Sequence, residues 1–361
     1  MYGKRVLVVR PDELGPSEHK TWRDLRAGSG AQENPFLDPA FTTAVGQVRP
    51  GARVAVLQDD GTPVGFLPYE RGPLGRGRAI GLGVSDSQGA VLRPGLRFDP
   101  RTLLAACALS SWEFDNLEAG QHLFVPHAVD ELASPVVDLD RGYEHYTDGL
   151  RVRSPGFLKQ TLAKERRLAR QAGEVRFVYD ARDPEALRTL MRWKSAQYRR
   201  TGRRDRFAQR WITRLVELLA HGDDPGCRGL LSVLYAGDRP VAAHFGLRSA
   251  TVLSWWFPAY DRDHGRYSPG LVLHLRMLQA AAADGIRMVD LGSGPARYKD
   301  SLKTRELTVY EGAVVRPGPG GAAYRLGREP ARAARRFVRG HPRLADAARR
   351  TLTGLGRLRE R

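Results

Sequence analysis

Residues Thr251–Lys303 read TVLSWWFPAYDRDHGRYSPGLVLHLRMLQAAAADGIRMVDLGSGPARYKDSLK. The first ten residues, to Tyr260, are rich in β-branched and aromatic side chains and carry no charge, which is the composition of a buried strand. Ser268–Asp284 has a helical pattern. Ser268 suits an N-cap, Pro269 suits the first helical position, and Leu271, Leu275, Leu278 and Ala282 fall on one face. Gly285 closes that helix, and Ile286–Leu291 reads as a second short strand. The order is strand, glycine-containing turn, helix, strand.

The turn carries Arg262, His264, Gly265, Arg266, Tyr267, Ser268 and Gly270 just before the helix starts. A helix N-terminus presents unpaired N–H groups and the positive end of the helix dipole, and glycines let a ligand approach the backbone closely. Such a turn can hold a pyrophosphate or another anion. The same residues also suit a well-capped surface turn, and the turn by itself leaves both readings open.

The run from Tyr260 through RYSPG to DLGSGPARYK resembles the CelD/BcsL-type acyltransferases of the GNAT superfamily, which are related to the FemABX aminoacyl transferases. Trp193–Tyr198 before Gly202, VAAHFGLRS at Val241–Ser249, the strand Phe66–Arg71 and the Ser85-Asp86 loop agree with the resemblance, which covers roughly residues 30 to 315. It implies a mixed α/β fold of two tandem GNAT-like domains, each a mostly antiparallel twisted sheet flanked by helices. Residues 1–150 would be a degenerate copy lacking the turn chemistry, 151–315 the acyltransferase domain, and 316–361 a basic helical tail. The halves share no repeated motif, so the tandem rests on element order.

Composition sets the outer bounds. A chain of 361 residues is long for one domain and comfortable for two. With 58 basic against 40 acidic residues the formal net charge is +18, enough to attract RNA, anionic lipid or a nucleotide-bearing donor. Cys107 and Cys227 make neither a disulfide framework nor a zinc cluster, and His264 and His274 have no partners at ligand spacing, so no metal is expected. The start, MYGKRVLVVRPDELG, is too soon charged for a signal peptide, and no run of 18 apolar residues occurs, so a cytoplasmic protein is expected. No G-x-S-x-G or Cys/His nucleophile pattern appears, which argues against covalent catalysis.

Along the chain, strands are expected at Gly3–Arg10, Arg53–Gln58, Pro63–Tyr69, Arg78–Leu82, Trp112–Leu117 and Val136–Asp138, with helices at His19–Leu25, Pro39–Val48 and Asp99–Ser110. Asp59-Asp60-Gly61-Thr62 is a hairpin signal. Ser154–Gly173 reads as a basic helix with a thin stripe of Leu158, Leu162 and Leu168, either a solvated linker or an anion-contacting element. The second half reads as strand Glu174–Tyr179, helices Asp183–Arg200 and Ala208–Ala220, strands Gly229–Tyr235, Pro240–Leu247 and Val252–Tyr260, the central helix, the Ile286 strand, a short helix Ala296–Lys303 and a strand Leu307–Val315. The tail beyond Arg316 is Arg-rich and weakly amphipathic, able to lie on an anionic membrane at its inner face or to contact RNA.

Transfer from a thioester to an amine needs a held donor, a base, an oxyanion contact and an acid for the leaving group. The resemblance places the thioester between the Val252 and Ile286 strands. Trp256 and Phe257 would contact the donor, and N–H groups around Trp256–Pro258 would polarise its carbonyl. Arg262, Gly265, Arg266, Tyr267, Ser268 and Gly270 would cradle the pyrophosphate. His244 is the first choice for general base: it sits mid-strand, its neighbours Ala242 and Gly246 are small, and imidazole titrates near neutrality. Asp290 is either catalytic or a cap for Gly292–Gly294. Tyr298 would protonate the thiolate, Lys299 would hold an anionic group, and Asp86, Lys194, Gln197 and Tyr198 would face the acceptor. The leading reading is an acyl-CoA-dependent N-acyltransferase, using acetyl-CoA or a longer donor, acting on an amine of a small molecule or glycan precursor. An aminoacyl-tRNA-dependent transferase and a non-catalytic module binding an anionic surface stand beside it.

Overall fold

Asp60 and Gly61 both have positive φ (47° and 79°). That is the geometry a two-residue hairpin turn needs, and it fixes the first antiparallel pair. The computed structural model describes residues 4–27, 33–294 and 296–328. Its first half runs β1 (Lys4–Val9), α1 (Pro16–Ala27), α2 (Pro39–Val48), β2 (Ala52–Asp59), β3 (Thr62–Arg71), β4 (Arg76–Ala79), β5 (Val91–Leu92), α3 (Pro100–Ala106), β6 (Ser111–Glu118) and β7 (Ala128–Asp138). Two helices, α4 (Gly142–Arg153) and α5 (Pro155–Ala172), lead into the second half. There follow β8 (Val175–Val178), α6 (Pro184–Arg200), α7 (Arg210–His221), β9 (Arg228–Ala236), β10 (Arg239–Arg248), β11 (Val252–Tyr260), α8 (Pro269–Ala283), β12 (Met288–Asp290), α9 (Arg297–Leu302) and β13 (Arg305–Val315). Residues 319–328 are also helical. The Arg-rich positions from Arg332 onward lie outside the described residues.

All 13 strands join one sheet, in the order β1-β2-β3-β4-β6-β13-β7-β12-β11-β10-β9-β8, with β5 paired to β3 off this path. The order is a palindrome of two similar halves. Four strands in antiparallel succession lead in each half to a parallel pair, β4 with β6 and β11 with β12. The last strand of each half is then exchanged: β7 pairs with β12 of the second half, β13 pairs with β6 of the first, and β7 and β13 pair with each other at the centre. The expected tandem of GNAT-like halves is present, and the sheet runs unbroken across residue 150.

Three local expectations change. The strand expected at Val136–Asp138 begins at Ala128, because its first half alternates exposed and half-buried positions, with Asp130 among the polar ones, and so hid from an apolar-run search. Helix α4 was not anticipated; its buried side is only Tyr146, Thr147 and Leu150. In α5 the buried stripe is Leu158, Thr161, Glu165 and Leu168, while Leu162 is 41% exposed. Among the described residues no helix is long and apolar enough to cross a membrane.

Two features of the second half shape the site. The β10–β11 register steps from Phe245↔Phe257 to Leu247↔Ser254, so Trp255 and Trp256 together oppose Gly246. Such a bulge bends the strand and leaves one residue out of the ladder. Next, β12 pairs only with Val252–Ser254 of β11. Beyond Ser254 the strands part, and Trp255–Tyr260 borders a gap. In the first half the matching gap is filled by the chain itself: Gln88 bonds Asn116 O through its N–H, and its side-chain oxygen accepts from the N–H groups of Asp115 and Asn116.

Gly246 makes the bulge sterically possible. A Cβ there would lie 2.4 Å from Ser254 O and 2.6 Å from the His244 ring. Gly246→Ala is expected to cost about 1–3 kcal/mol, as overpacking in a dense core does. Urea unfolding followed by tryptophan fluorescence will show it as a lowered midpoint at unchanged slope.

Candidate functional site

The gap between β11 and β12 opens into two adjoining cavities. The larger, 890 Å³, is lined by Asp86, Lys194, Trp256 and Lys299 among others. The smaller, 240 Å³, is lined by Tyr260, Gly265, Ser268 and Gly270 on the turn, and by His274 of α8. Gln197, Pro258 and Tyr298 line both. These three residues form the wall across which a group held in one cavity would meet a group held in the other.

Asp86 reaches the site from the loop after β4. Gly292 has φ +72°, which favours glycine, and a Cβ there would lie a tight 3.0 Å from the Asp86 carboxylate. Burial first, and the neighbouring Asp290 next, push its pKa up to about 7, against the pull of Arg206 and Lys299. It has no hydrogen-bond partner among the described residues and lines both the 890 Å³ cavity and a second, 560 Å³ cavity. A carboxyl poised near neutrality at a cavity wall is the form a general base takes.

Asp290 is buried and accepts from Asn34 Nδ2 (3.0 Å), Ser134 Oγ (3.0 Å) and Gly292 N (2.9 Å). The bond from Gly292 N caps the loop after β12, and the other two tie Asp290 to the segment before α2 and to β7, so its geometry is that of a structural brace. Lys299 donates to the carbonyls of Gly292 (2.8 Å), Ser293 (3.2 Å) and Gly294 (3.2 Å). Its three protons go to these carbonyls, so it braces the loop in place of holding the anionic group expected of it. Burial raises the Tyr298 phenol's pKa and keeps it protonated. Its ring packs on His274 at 5.0 Å.

Lys194 donates to Pro258 O at 2.9 Å, and burial, then Arg203 and Arg206, pull its pKa down to about 7. Its ammonium lies over the Tyr198 ring at 5.4 Å. The side-chain oxygen of Gln197 is buried with no partner. The four residues expected to face the acceptor, Asp86, Lys194, Gln197 and Tyr198, all line the larger cavity.

The donor set divides. Arg262–Tyr267 winds into a 3₁₀ turn in place of an open glycine loop. Arg262 is exposed, and Arg266 stacks over the Tyr267 ring at 4.8 Å; neither lines the smaller cavity. Tyr267 is buried and donates to Gln171 Oε1. Phe257 is fully buried core, while Trp256 lines the larger cavity and donates its indole N–H to Val84 O at 2.6 Å. Pro258 has no N–H to give an oxyanion, and the bulge at Trp255 and Trp256, where the ladder is interrupted, is the candidate donor. Ser268 makes no cap bond. It adopts the left-handed conformation (φ 50°, ψ 52°), and its hydroxyl accepts from Lys164 Nζ of α5 at 2.9 Å. The Gly270 N–H has no backbone acceptor among the described residues.

His244 does not reach either cavity. It is 0% exposed, neither ring nitrogen has a partner, and burial, with Lys194 nearby, lowers its pKa to about 3. Such a weak base, sealed from the cavities, is unsuited to the role expected of it. Lys164 and His274 were missed as site residues. The spacing that puts Lys164 beside Ser268 is set by helix packing, which the sequence does not display.

Residues 157–300 match the family model described as the acetyltransferase (GNAT) domain. No curated protein is similar in sequence. Among solved structures, FemX aligns with a TM-score of 0.57 at 11% identity, covering 86% of this chain and 96% of its own. A conserved protein of unknown function from Bacteroides thetaiotaomicron gives 0.55 at 10% identity, covering 86% and 100%. A tandem GNAT protein from the clavulanic acid biosynthesis pathway gives 0.50 at 12%, covering 88% and 100%. At these identities the likeness is one of fold.

The buried imidazole has a thermodynamic signature. Below about pH 6.5 the unfolded chain takes up a proton on His244 that the native chain refuses until about pH 3, so stability falls as the pH drops through that window. Urea unfolding at pH 7 and pH 5 is expected to show His244→Gln losing less stability than the parent, by about 2 kcal/mol. An identical loss in both proteins would place the acid sensitivity elsewhere.

Proposed function

We propose that the chain transfers an acyl group from an activated donor to an amine, with the donor lying along the smaller cavity and the acceptor in the larger. The observation that supports this most directly is the shared wall of Gln197, Pro258 and Tyr298, flanked on one side by Asp86 and on the other by the turn before α8. The acceptor's ammonium gives a proton to the Asp86 carboxylate. The free amine then forms a C–N bond to the donor carbonyl, the carbonyl oxygen is met by an N–H of the bulge, Tyr298 donates its proton to the departing sulfur or oxygen as that bond breaks, and the proton that the nitrogen sheds as the amide forms restores the phenol. Lys299 and Asp290 keep the loop at Gly292 in place for Asp86.

We take acyl-CoA as the donor. The Gly270 N–H, the Ser268 hydroxyl and Lys164 converge at the α8 N-terminus, a setting that favours a phosphate group. The donor's contribution is its activated carbonyl. A second reading, aminoacyl-tRNA as donor, draws on the exposed Lys159, Arg166, Arg167 and Arg170 of α5, whose helix packs on α8 beside the same turn.

Two experiments test the proposal. Calorimetric titration with CoA and acetyl-CoA should give micromolar binding that Gly270→Asp abolishes by placing a carboxylate among the phosphate donors. Binding only to charged tRNA, weakening steeply with salt, would favour the second reading, and binding of neither would sink both. For the base, Asp86→Asn is expected to lower turnover by about 10²–10⁴-fold with donor binding intact. Because burial raises the Asp86 pKa to about 7, the parent's turnover should climb with pH up to about that value and then level off. A variant with parental turnover would remove Asp86 from the chemistry.

A further inference from the structure

We infer that the acceptor is a zwitterion, whose amine is accompanied by a carboxylate or phosphate held by the loop between α6 and α7. The inference rests on the acyl-transfer reading for the amine and adds what else the acceptor carries.

Arg203, Arg204 and Arg206 fall within four residues of that loop, and all three line the 890 Å³ cavity. Among the described residues none of the three guanidinium groups makes a hydrogen bond or an ion pair. Asp205, the acid nested between them, instead accepts from the Ser195 hydroxyl and the Phe207 N–H. On the neighbouring α6, Arg188 and Arg192 both pair with Glu185, while Arg199 and Arg200 make no ion pair among the described residues. The loop therefore gathers like charges that repel one another, and after burial the charges of Arg203 and Arg206 depress the basicity of Lys194. An anion seated among them would relieve that repulsion. A guanidinium fork fits a carboxylate or a phosphate two bonds at a time.

The facing chemistry is of the opposite sign. Asp86 from the loop after β4, Asp115 from β6 and Glu311 from β13 line the same cavity. A neutral amine would leave the arginines without a counterpart. A simple polyanion would meet three carboxylates. A molecule with an ammonium at one end and an anionic group at the other satisfies both sides, and it directs the amine toward Asp86.

Trp255 and Trp256 line this cavity, so intrinsic fluorescence reports its occupancy. The probes are ethanolamine, which offers the amine alone, and phosphoethanolamine and β-alanine, which add a phosphate or a carboxylate. Saturable quenching is expected for the two zwitterions, at least about tenfold tighter than for ethanolamine. The Arg203→Gln/Arg206→Gln double variant should lose that advantage with its melting temperature unchanged, and the tighter of the two zwitterions identifies the anion. Gly270→Asp, in the donor turn, should bind all three as the parent does. Equal binding of the three probes, no saturable binding, an unaltered double variant, or a loss caused by Gly270→Asp would each overturn the inference. Should CoA and tRNA both fail to bind while the arginine-dependent preference persists, the acyl-transfer reading falls and the zwitterion site stands.

Discussion

The exchange of final strands between the two halves is the constraint on which the rest of this structure depends. Neither β7 nor β13 pairs mainly with its own half; each completes the parallel pair of the other, and the two join at the centre of the sheet. Sheet hydrogen bonds leave no freedom of register along a strand whose faces are buried. The exchange therefore fixes where the loops of the first half stand relative to the gap in the second. Asp86 reaches the cavity and Ser134 reaches Asp290 because β6 and β7 are locked to β13 and β12. Ser293 donates to Asn116 Oδ1 at 2.6 Å across the same seam.

Around the gap, desolvation does more than any single charge. It holds Asp86 near neutrality, keeps the Tyr298 phenol protonated and leaves His244 unprotonated. Burial alone does not make a catalyst, and the contrast between Asp86 and His244 shows what else is needed. Burial disfavours the charged form of both, but only Asp86 borders open space. The residues that face a cavity can exchange protons with a ligand, whereas His244 packs, tilted, against Trp255 at 4.7 Å and is fully buried.

Much of the second half was legible in the sequence. The uncharged run Val252–Tyr260, the amphipathic helices and the proline-opened α8 announce themselves through local chemistry, and in the first half α2 begins at Pro39 and ends at Val48 as its pattern says. Strand partners were not legible, since alternation marks a strand but does not say what it pairs with, and β6 and β13 are some 190 residues apart. The small neighbours of His244 were read as space for a ligand. In the structure Gly246 is small because the bulge brings Ser254 O and the imidazole itself against it. Ser268 was read as a cap from its type alone, while its left-handed backbone turns the hydroxyl toward Lys164. Asp86 was placed by resemblance, and no pattern in its own loop would have found it.

The first half's gap, closed by Gln88, and the central position of β13 bear on how the chain comes into being. During synthesis the ribosome releases β6 long before β13, and until β13 arrives the outer edge of β6 has no antiparallel partner. An open strand edge is a site for mistaken pairing. Strand β7 emerges next and is the nearest sequence that could occupy it, yet in the finished sheet it must stand one place further out. The nascent protein thus has to keep a vacancy between two neighbouring strands for the span of more than 150 residues, or displace a provisional partner when the last strand is made. Vectorial growth and final topology are in conflict at that one position, so the sheet cannot close until β13 has been made.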